Sequence, residues 1–288
     1  MKMKNSRRKI LTLIVLLFSS FGFVKWLRRK KLDGQVLLYT SDIHLSLPQG
    51  RWQHCTKNFN NFLKNSSFKK YIFFVNGDYI DCAFSENGRI KGGGKNYQIE
   101  ETNLFINVTK NRFKKIMYNF GAGHDFGNIE TAEILTQTKR IGIYQWEKVN
   151  IVWFTVFTAA FGETNALKDD EYLKLEEILS TSKNILLMTH IPLRTKLTYE
   201  LGKWSNNTNL TIPNSDKIYS ILKKFRNNIL AIFQGHIHEE YKSSIFNIPI
   251  FCFPFIKNNS HCLLIQDKQQ LVLRSSDNSK INQYFTIN

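Results

Sequence analysis

The chain has 288 residues, of which 42% are hydrophobic, so it can form one large domain or two small ones with a substantial core. Its net charge is +17 at pH 7, and ten of its 40 Lys and Arg residues lie within the first 31 residues. The remaining basic excess favours an anionic partner, whether a phospholipid surface, a nucleotide or a nucleic acid. No RNA- or DNA-binding motif accompanies the charge, which makes nucleic acid the minority alternative. The four cysteines show no C-x-x-C spacing, which argues against a zinc finger.

Residues 1–31 form a separate segment in which basic residues flank an uncharged apolar run at 10–24. A positive n-region followed by an apolar h-region is typical of a secretory signal. The run of 15 residues is shorter than the ~20 that a transmembrane helix needs, but Trp26 and the snorkelling side chain of Lys25 can extend it. No small-x-small cleavage site follows, so we expect an uncleaved signal anchor that attaches the protein to a membrane through residues 10–24. A cleaved signal peptide on a secreted protein is the alternative, and the basic residues on both sides leave the orientation open.

No change in composition divides the rest of the chain, so we expect a single domain at 35–288. Short apolar runs alternate with helical patterns along it, which predicts an α/β fold. Strands are predicted at 36–41, 71–76, 116–120, 149–158, 185–189 and 229–234, followed by a closing β-meander at 242–246, 248–255, 262–266 and 270–274. Helices are predicted at 53–64, 98–112, 130–138, 167–179 and 213–226.

Five of the predicted strands end in residues that ligate metals or transfer protons. The side chains just past those ends are Asp42, His44, Asp78, His124, His190, His236 and His238. In open α/β sheets, ligands bind outside the carboxyl ends of the strands, so we expect these side chains to converge on one rim. Carboxylates together with imidazoles suit Mn, Fe or Zn better than magnesium, which prefers oxygen ligands. The sequence therefore predicts a site for divalent metal ions at this rim.

A family resemblance rests on these same positions. The series Asp42-x-His44, Gly77-Asp78-x-x-Asp81, Gly123-His124-Asp125, His190 and Gly235-His236-x-His238 resembles the calcineurin-like metallophosphoesterases, over roughly residues 35–275. The resemblance implies a four-layer αββα sandwich, in which helices flank two mixed β-sheets. It also implies a two-metal enzyme that hydrolyses a phosphomonoester or a phosphodiester.

The resemblance assigns a role to each matching residue. It implies a first metal held by Asp42, His44, Asp78 and His238. It implies a second metal held by Asp78, which bridges the two ions, together with His190 and His236. His124 would protonate the leaving group, and Asp125 would support His124 by holding its tautomer.

Gly123 departs from the family pattern. The family writes this block G-N-H-D, and the asparagine amide oxygen is a ligand of the second metal, whereas Gly123 has no side chain to donate. A water, a backbone carbonyl or a displaced side chain could fill the gap. The departure leaves open a catalytically weakened relative that binds a phosphorylated ligand, and the basic charge leaves open a nuclease of the same superfamily. The triplet Gly92-Gly93-Gly94 does not match a phosphate-binding P-loop, and we interpret it as part of a flexible loop over the site.

Overall fold

Two six-stranded β-sheets pack face to face, and helices cover the outer face of each sheet. The computed structural model describes residues 36–47, 53–64, 68–81, 94–121, 124–125, 129–156, 167–203, 211–256, 259–276 and 281–287. These residues belong to one compact unit of the chain, Gln35–Asn288. The prediction of two mixed sheets with flanking helices is confirmed.

Twelve strands and six α-helices are found in the described ranges. The strands are β1 (Val36–Thr40), β2 (Ile72–Asn76), β3 (Lys115–Asn119), β4 (Ile141–Trp146), β5 (Val149–Phe154), β6 (Ile185–Thr189), β7 (Ile229–Gln234), β8 (Tyr241–Ile245), β9 (Ile248–Cys252), β10 (Cys262–Asp267), β11 (Gln270–Ser275) and β12 (Asn282–Thr286). The helices are α1 (Gln53–Lys64), α2 (Gly94–Thr109), α3 (Ile129–Thr136), α4 (Asp169–Thr181), α5 (Lys196–Leu201) and α6 (Ile218–Lys224), with one 3₁₀ turn at Arg226–Asn228.

The two sheets differ in strand order, but each contains a block of parallel strands. Sheet I has the order β12-β11-β10-β1-β2-β3, and sheet II has the order β4-β5-β6-β7-β9-β8. In sheet I, β1, β2 and β3 are parallel, and β10 joins β1 antiparallel. In sheet II, β5, β6, β7 and β9 are parallel, whereas the edge strands β4 and β8 are antiparallel to their neighbours. Side chains that follow β1, β2, β6 and β7 contact one another, so the carboxyl ends of both sheets meet at one edge of the sandwich.

Strand β1 shows how the sequence builds these layers. Alternate side chains of a strand point to opposite faces of its sheet. Leu37 and Tyr39 pack in the core between the two sheets, whereas Leu38 packs with Phe59 of α1 on the outer face of sheet I. On the opposite side of the sandwich, Leu175 of α4 packs against the outer face of sheet II. Because both faces of β1 are buried, its sequence is apolar at almost every position instead of alternating.

Most strands were predicted well, but two edge strands were missed. Strands β1, β2, β3, β6 and β7 lie within one residue of their predicted bounds. The predicted strand at 149–158 ends at Phe154, and β4 and β12 were not predicted at all. Both missed strands lie at sheet edges, where Ile143 of β4 is 44% exposed and Tyr284 of β12 is 61% exposed. An edge strand of this kind lacks the unbroken apolar run by which the buried strands were recognised.

Two further predictions need correction. The helix predicted at 213–226 begins only at Ile218, and the carboxylate of Asp216, two residues earlier, accepts the Ile218 N–H at 2.8 Å. The predicted meander is divided between the sheets. Strands β8 and β9 form a hairpin in sheet II, whereas β10 crosses to sheet I and pairs with β1.

The predicted signal anchor at residues 1–31 lies outside the described residues. Among the helices that the structure describes, none is long and apolar enough to cross a membrane. Membrane attachment through residues 10–24 therefore stays a prediction from the sequence.

Candidate metal centre

The chain turns sharply at the ends of several strands in both sheets. The residues with left-handed φ at these turns are Asp42 (53°), His44 (49°), Gly77 (81°), Asp78 (49°), His236 (70°) and His238 (58°). Asp and His adopt this conformation more readily than most residues with a side chain, yet each instance costs on the order of 1 kcal/mol or more. Backbone strain of this kind concentrates at functional sites, and here the side chains that follow β1, β2 and β7 meet.

Three glycines at the strand ends leave room for these side chains. A Cβ on Gly121, which follows β3, would collide with the carboxylate of Asp78. A Cβ on Gly235, which follows β7, would lie 2.7 Å from His190 Nδ1, and a Cβ on Gly77 would collide with the same imidazole. Glycine is therefore required sterically at these three positions, as well as conformationally at Gly77.

The first group of candidate ligands draws on both sheets. Its members are Asp42, His44, Asp78 and His238, and their candidate ligand atoms all lie within 4.8 Å of one another. His44 Nε2 lies 3.0 Å from His238 Nε2 and 3.8 Å from Asp78 Oδ2. His238 Nε2 lies 3.4 Å from Asp42 Oδ1, which also accepts the His236 N–H at 2.9 Å. Two imidazole nitrogens and two carboxylates thus face a common point.

The second group contains Asp78, His190 and His236, again with all candidate ligand atoms within 4.8 Å. His190 Nε2 lies 3.2 Å from Asp78 Oδ2, and the rings of His190 and His236 are 5.2 Å apart between centroids. His190 Nδ1 donates to the carbonyl oxygen of Asn76 at 2.7 Å, which assigns the proton to Nδ1 and leaves Nε2 to face Asp78. Asp78 belongs to both groups, so its carboxylate lies between them. These two groups contain the residues of the two ligand sets that the family resemblance implies, and a third group of candidate ligands contains His44, Asp81 and His124.

Buried atoms in these groups fit a bound cation. Among the described residues, buried side-chain atoms that make no hydrogen bond include Asp42 Oδ2, both carboxylate oxygens of Asp78, and Nε2 of His190 and of His236. Burying an ionised carboxylate without a partner costs several kcal/mol, and such groups normally pair with a charge or coordinate a metal. Divalent ions between these atoms would satisfy all of them, so the donor set fits two such ions.

The charges lead to the same conclusion. Burial raises the pKa of Asp42, but the hydrogen bond with His238 and the charge of His190 lower this pKa to about 2. Burial lowers the pKa of His190, but the charge of Asp78 outweighs burial and raises this pKa to about 10. Burial and the charge of His190 together lower the pKa of His236 to about 3. The carboxylates therefore create a field that favours positive charge at His190, whereas His236 is neutral. A histidine that ligates a metal must be neutral, so a bound cation would take the place of the His190 proton.

His124 lies beside the first group and is oriented by Asp81. Its Nδ1 donates to Asp81 Oδ1 at 2.7 Å, and its ring packs edge-on against His44 with centroids 4.5 Å apart. The His124 side chain is 17% exposed, whereas Asp81 is almost fully buried. Burial lowers the pKa of His124, but the charge of Asp78 and the hydrogen bond to Asp81 raise it above its usual value. Asp81 therefore occupies Nδ1 of the imidazole and favours the protonated form of the ring.

The prediction that Asp125 holds the His124 tautomer is wrong. The Asp125 carboxylate instead accepts backbone N–H groups, from Gly121 at 2.6 Å and Asp78 at 2.8 Å on one oxygen and from Ile80 at 3.3 Å on the other. It fixes the loops after β2 and β3, while Asp81 orients the imidazole. Asp81 belongs to the motif Gly77-Asp78-x-x-Asp81, but the family resemblance alone assigns it no role.

Helix α2 contributes two residues, Glu101 and Gln98, that support the loops of the site and that no sequence motif indicates. Glu101 accepts the Leu47 N–H at 3.0 Å and the Asp81 N–H at 3.1 Å, and Gln98 donates to the Asp125 carbonyl at 2.9 Å. These bonds tie the loops after β1, β2 and β3 to one helix. Because α2 is polar at most of its positions, neither residue stands out in the sequence. Gly123, where the family pattern is broken, lies outside the described residues.

Comparisons with solved structures identify the same fold. Purple acid phosphatase PPD1 from yellow lupin (Lupinus luteus) seeds matches with a TM-score of 0.56 and 12% identity, over 88% of this chain and 53% of that chain. This chain therefore spans about half the length of the lupin protein. GAP50, the anchor in the inner membrane complex of Plasmodium, matches with a TM-score of 0.50 and 10% identity, over 88% of this chain and 89% of that chain. At these identities the likeness shows the fold alone.

The sequence itself identifies the family. A search of the curated proteins finds no match to this chain. Residues 36–240, by contrast, match the family model of the calcineurin-like phosphoesterases. The match covers most of the chain and spans every strand end that supplies a residue to the two groups. This chain therefore belongs to the calcineurin-like phosphoesterase family.

Proposed function

We propose that this protein is a metal-dependent hydrolase that cleaves a phosphomonoester or a phosphodiester with two divalent metal ions. The observation that carries the proposal is the position of Asp78, whose unbonded carboxylate oxygens lie between two groups of candidate ligands. A mixture of carboxylates and imidazoles favours Mn, Fe or Zn as the ions. When bound, two such ions neutralise phosphoryl oxygens and activate water for in-line attack.

Each ligand has a role in this proposal. Asp42, His44, Asp78 and His238 would hold the first ion, and Asp78, His190 and His236 would hold the second. Both sheets would contribute ligands, and Asp42, His44, Asp78 and His190 are buried, which restricts the movement of their side chains. The net basic charge of the chain also favours an anionic substrate.

His124 supplies the proton that the leaving alkoxide needs. Asp81 holds the Nδ1–H, so Nε2 carries the transferable proton when the imidazole is charged. The partial exposure of His124 allows its ring to meet a substrate that enters from solvent. General acids of this kind accelerate reactions by roughly 10²–10⁴-fold.

The alternative is a weakened relative that binds a phosphorylated ligand without turnover, which the departure at Gly123 favours. The fold does not decide between them, because one structural neighbour is a phosphatase and another is described as an anchor. The deciding experiment uses the purified full-length chain, loaded with Mn, Fe or Zn or treated with chelator. Substrates are p-nitrophenyl phosphate and bis(p-nitrophenyl) phosphate, and Asp78→Asn is the control variant.

Hydrolysis that requires metal and disappears in Asp78→Asn supports the phosphoesterase. Binding of inorganic phosphate to the metal-loaded protein without any turnover supports the weakened relative. If the wild type binds no divalent ion under any condition, both assignments are wrong. A nuclease would instead show turnover of oligonucleotides, with DNA affinity that falls steeply as salt is raised.

We also propose that residues 10–24 attach the protein to a membrane as an uncleaved signal anchor. The apolar run and its basic flanks support this proposal. An apolar anchor is insensitive to ionic screening, so the full-length protein should stay in the membrane fraction through a high-salt wash. Release by salt alone would contradict the proposal, as would a mature N-terminus near residue 24.

A further inference from the structure

A buried amide at the end of β2 links the two sheets directly beneath the candidate ligands. The Asn76 side chain is fully buried. Its Nδ2 lies 2.8 Å from the Tyr39 hydroxyl, 3.0 Å from the Thr189 carbonyl and 3.1 Å from the Phe233 carbonyl. Its Oδ1 accepts a hydrogen bond from Asn119 Nδ2 at 2.9 Å. Every polar atom of the side chain therefore has a partner.

The partners of Asn76 stand immediately before the candidate ligands. Thr189 directly precedes His190, and Phe233 lies in β7, three residues before His236. Asn76 is itself two residues before Asp78. Both carbonyl acceptors belong to sheet II, whereas Asn76 belongs to sheet I. The amide thus joins the two sheets where they supply the members of the second group.

The backbone of Asn76 reinforces this link. Its carbonyl oxygen accepts the Nδ1–H of His190 at 2.7 Å, which turns His190 Nε2 toward Asp78. Tyr39 adds a parallel connection, because its hydroxyl donates to the Gln234 carbonyl at 2.9 Å in β7. One residue of β2 therefore determines both the orientation of His190 and the distance between the strands that carry Asp78 and His190.

Only asparagine meets all of these requirements at this position. An amide nitrogen has two hydrogens, and here they are shared among three acceptors, while the amide oxygen accepts from Asn119. A leucine of similar volume would leave buried carbonyls without a donor, and an aspartate would place a carboxylate against them. Buried networks of this kind specify one geometry because each partly satisfied alternative is costly.

We propose that Asn76 is a positioning residue that holds Asp78 in register with His190 and His236, and so determines how tightly the second group binds a divalent cation. This proposal rests on the proposed function only in taking the second group to be a cation site. The first group shares Asp78 but not His190, whose ring the Asn76 carbonyl orients, so it depends less on Asn76 than the second group does.

The experiment compares Asn76→Leu with Asn119→Leu in the full-length chain. Asn119 is equally buried and belongs to the same network, but it bonds to Asn76 and to the Phe154 carbonyl instead of to β6 or β7. Each protein is stripped of metal and titrated with Co²⁺, with calorimetry and visible absorption used to obtain two dissociation constants. Thermal unfolding of the metal-free proteins measures the structural cost of each substitution.

We expect Asn76→Leu to weaken the second Co²⁺ site by roughly 10–100-fold, because loss of the amide shifts β2 and with it the backbone carbonyl that accepts the His190 Nδ1–H, and to change the first site less than about threefold. Asn119→Leu should lower the unfolding temperature by a similar amount but weaken the second site much less than Asn76→Leu does, because the bonds of Asn76 to β6 and β7 remain. Equal weakening of both sites in both variants, or no weakening in Asn76→Leu, would overturn the proposal.

If Asn76→Leu does not fold, Tyr39→Phe decides the question. This variant keeps the shape of the ring and removes only the hydroxyl that connects Asn76 to β7. A selective loss at the second site supports the proposal, and unchanged constants contradict it. The titration does not depend on turnover, so a wild type that binds two ions without hydrolysing any ester would refute the proposed function and leave the role of Asn76 intact.

Discussion

His124 donates its Nδ1–H to Asp81 across 2.7 Å, although Asp125 is its neighbour in the chain. The reason lies in the loops around Asp125. Its carboxylate is occupied by three backbone N–H groups, those of Gly121, Asp78 and Ile80. Buried backbone donors must find acceptors, and a carboxylate at this position supplies them. The two aspartates therefore have different roles. Asp81 orients the imidazole, and Asp125 fixes the loops after β2 and β3 through backbone hydrogen bonds.

The first prediction separates these two roles. Asp81→Asn should lower turnover by roughly 10–100-fold while metal content and unfolding temperature stay close to wild type, because it removes a charge behind His124. Asp125→Asn should instead lower the free energy of unfolding by about 2 kcal/mol, because an amide cannot accept all three backbone donors. Steady-state kinetics, elemental analysis and thermal unfolding of both variants check this. Equal effects of the two substitutions on all three measurements would contradict it.

The second prediction concerns the proton itself. His124→Ala should lower turnover by roughly 10²–10⁴-fold for an alkyl phosphate ester, whose alkoxide is a poor leaving group. The loss should shrink for p-nitrophenyl esters, because nitrophenolate leaves without a proton. Both rates are measured at saturating metal, and elemental analysis verifies that both ions are retained. Losses of equal size for the two leaving groups would remove His124 from the role of general acid.

The third prediction tests the steric role of Gly121. Gly121→Ala places a Cβ against the carboxylate of Asp78, so the protein should bind less metal and lose activity. The matched control is Gly142→Ala in the edge strand β4, where the added Cβ would collide with Trp153 outside both ligand groups. Both variants should unfold at a lower temperature, but only Gly121→Ala should lose metal. Metal loss in both would mean that general destabilisation, and not displacement of Asp78, is the cause.

Much of the fold and of the candidate site was predictable because buried parallel strands have a strong sequence signature. The apolar runs predicted β1, β2, β3, β6 and β7 to within one residue, and the residues after those runs include every candidate ligand. Which strand joins which sheet was not predictable from the runs themselves. That choice depends on pairing between strands far apart in the sequence, such as β1 with β10. The edge strands β4 and β12 were missed because a partly exposed strand needs only one apolar face and therefore has no unbroken apolar run.

Residues that support the site without belonging to either ligand group could not be predicted from the sequence. Asn76, Glu101 and Gln98 bond to backbone atoms of residues remote in the chain, and such contacts leave no local pattern. The choice of Asp81 over Asp125 has the same origin. Proximity in the sequence favoured Asp125 as the partner of His124. The Asp125 carboxylate instead accepts three buried backbone N–H groups, and Asp81 bonds to His124.

The fourth prediction concerns pH and Glu101. Burial raises the pKa of this carboxyl from 4.5 to about 7. A raised pKa means that the folded protein favours the neutral acid, so the stabilisation is complete below about pH 4.5 and is lost as the pH rises toward 7. Each pKa unit is worth about 1.4 kcal/mol, which makes the total loss about 3.5 kcal/mol at most.

Glu101→Gln has no such ionisation, so it should gain stability relative to wild type between pH 5 and pH 8. Urea unfolding of both proteins in the presence of chelator, at the two pH values, measures this difference. Metal must be absent because divalent ions nearby would change the ionisation of the carboxyl. A stability difference between wild type and Glu101→Gln that is the same at both pH values would show that Glu101 does not titrate in this range.

The last prediction concerns Gly123, where the chain leaves the family pattern. If nothing replaces the missing amide, the second group has only Asp78, His190 and His236 to offer, and it should bind its ion more weakly than the first. Activity of the wild type should then keep rising with added Mn well past the first equivalent. Gly123→Asn should restore the ligand and shift this titration to lower metal concentrations.

Gly123→Ala is the matched control, because it changes the backbone freedom of the loop without adding a donor. Asparagine tolerates left-handed φ better than most residues, so the comparison is fair even if the glycine has positive φ. A shift to lower metal in Gly123→Asn alone would identify the amide as the missing ligand. A wild type that already binds both ions tightly, and is only damaged by either substitution, would show that another group fills the gap. The loop would then follow a different path from the family's, and the correspondence of residues 121–125 with the family motif would have to be redrawn.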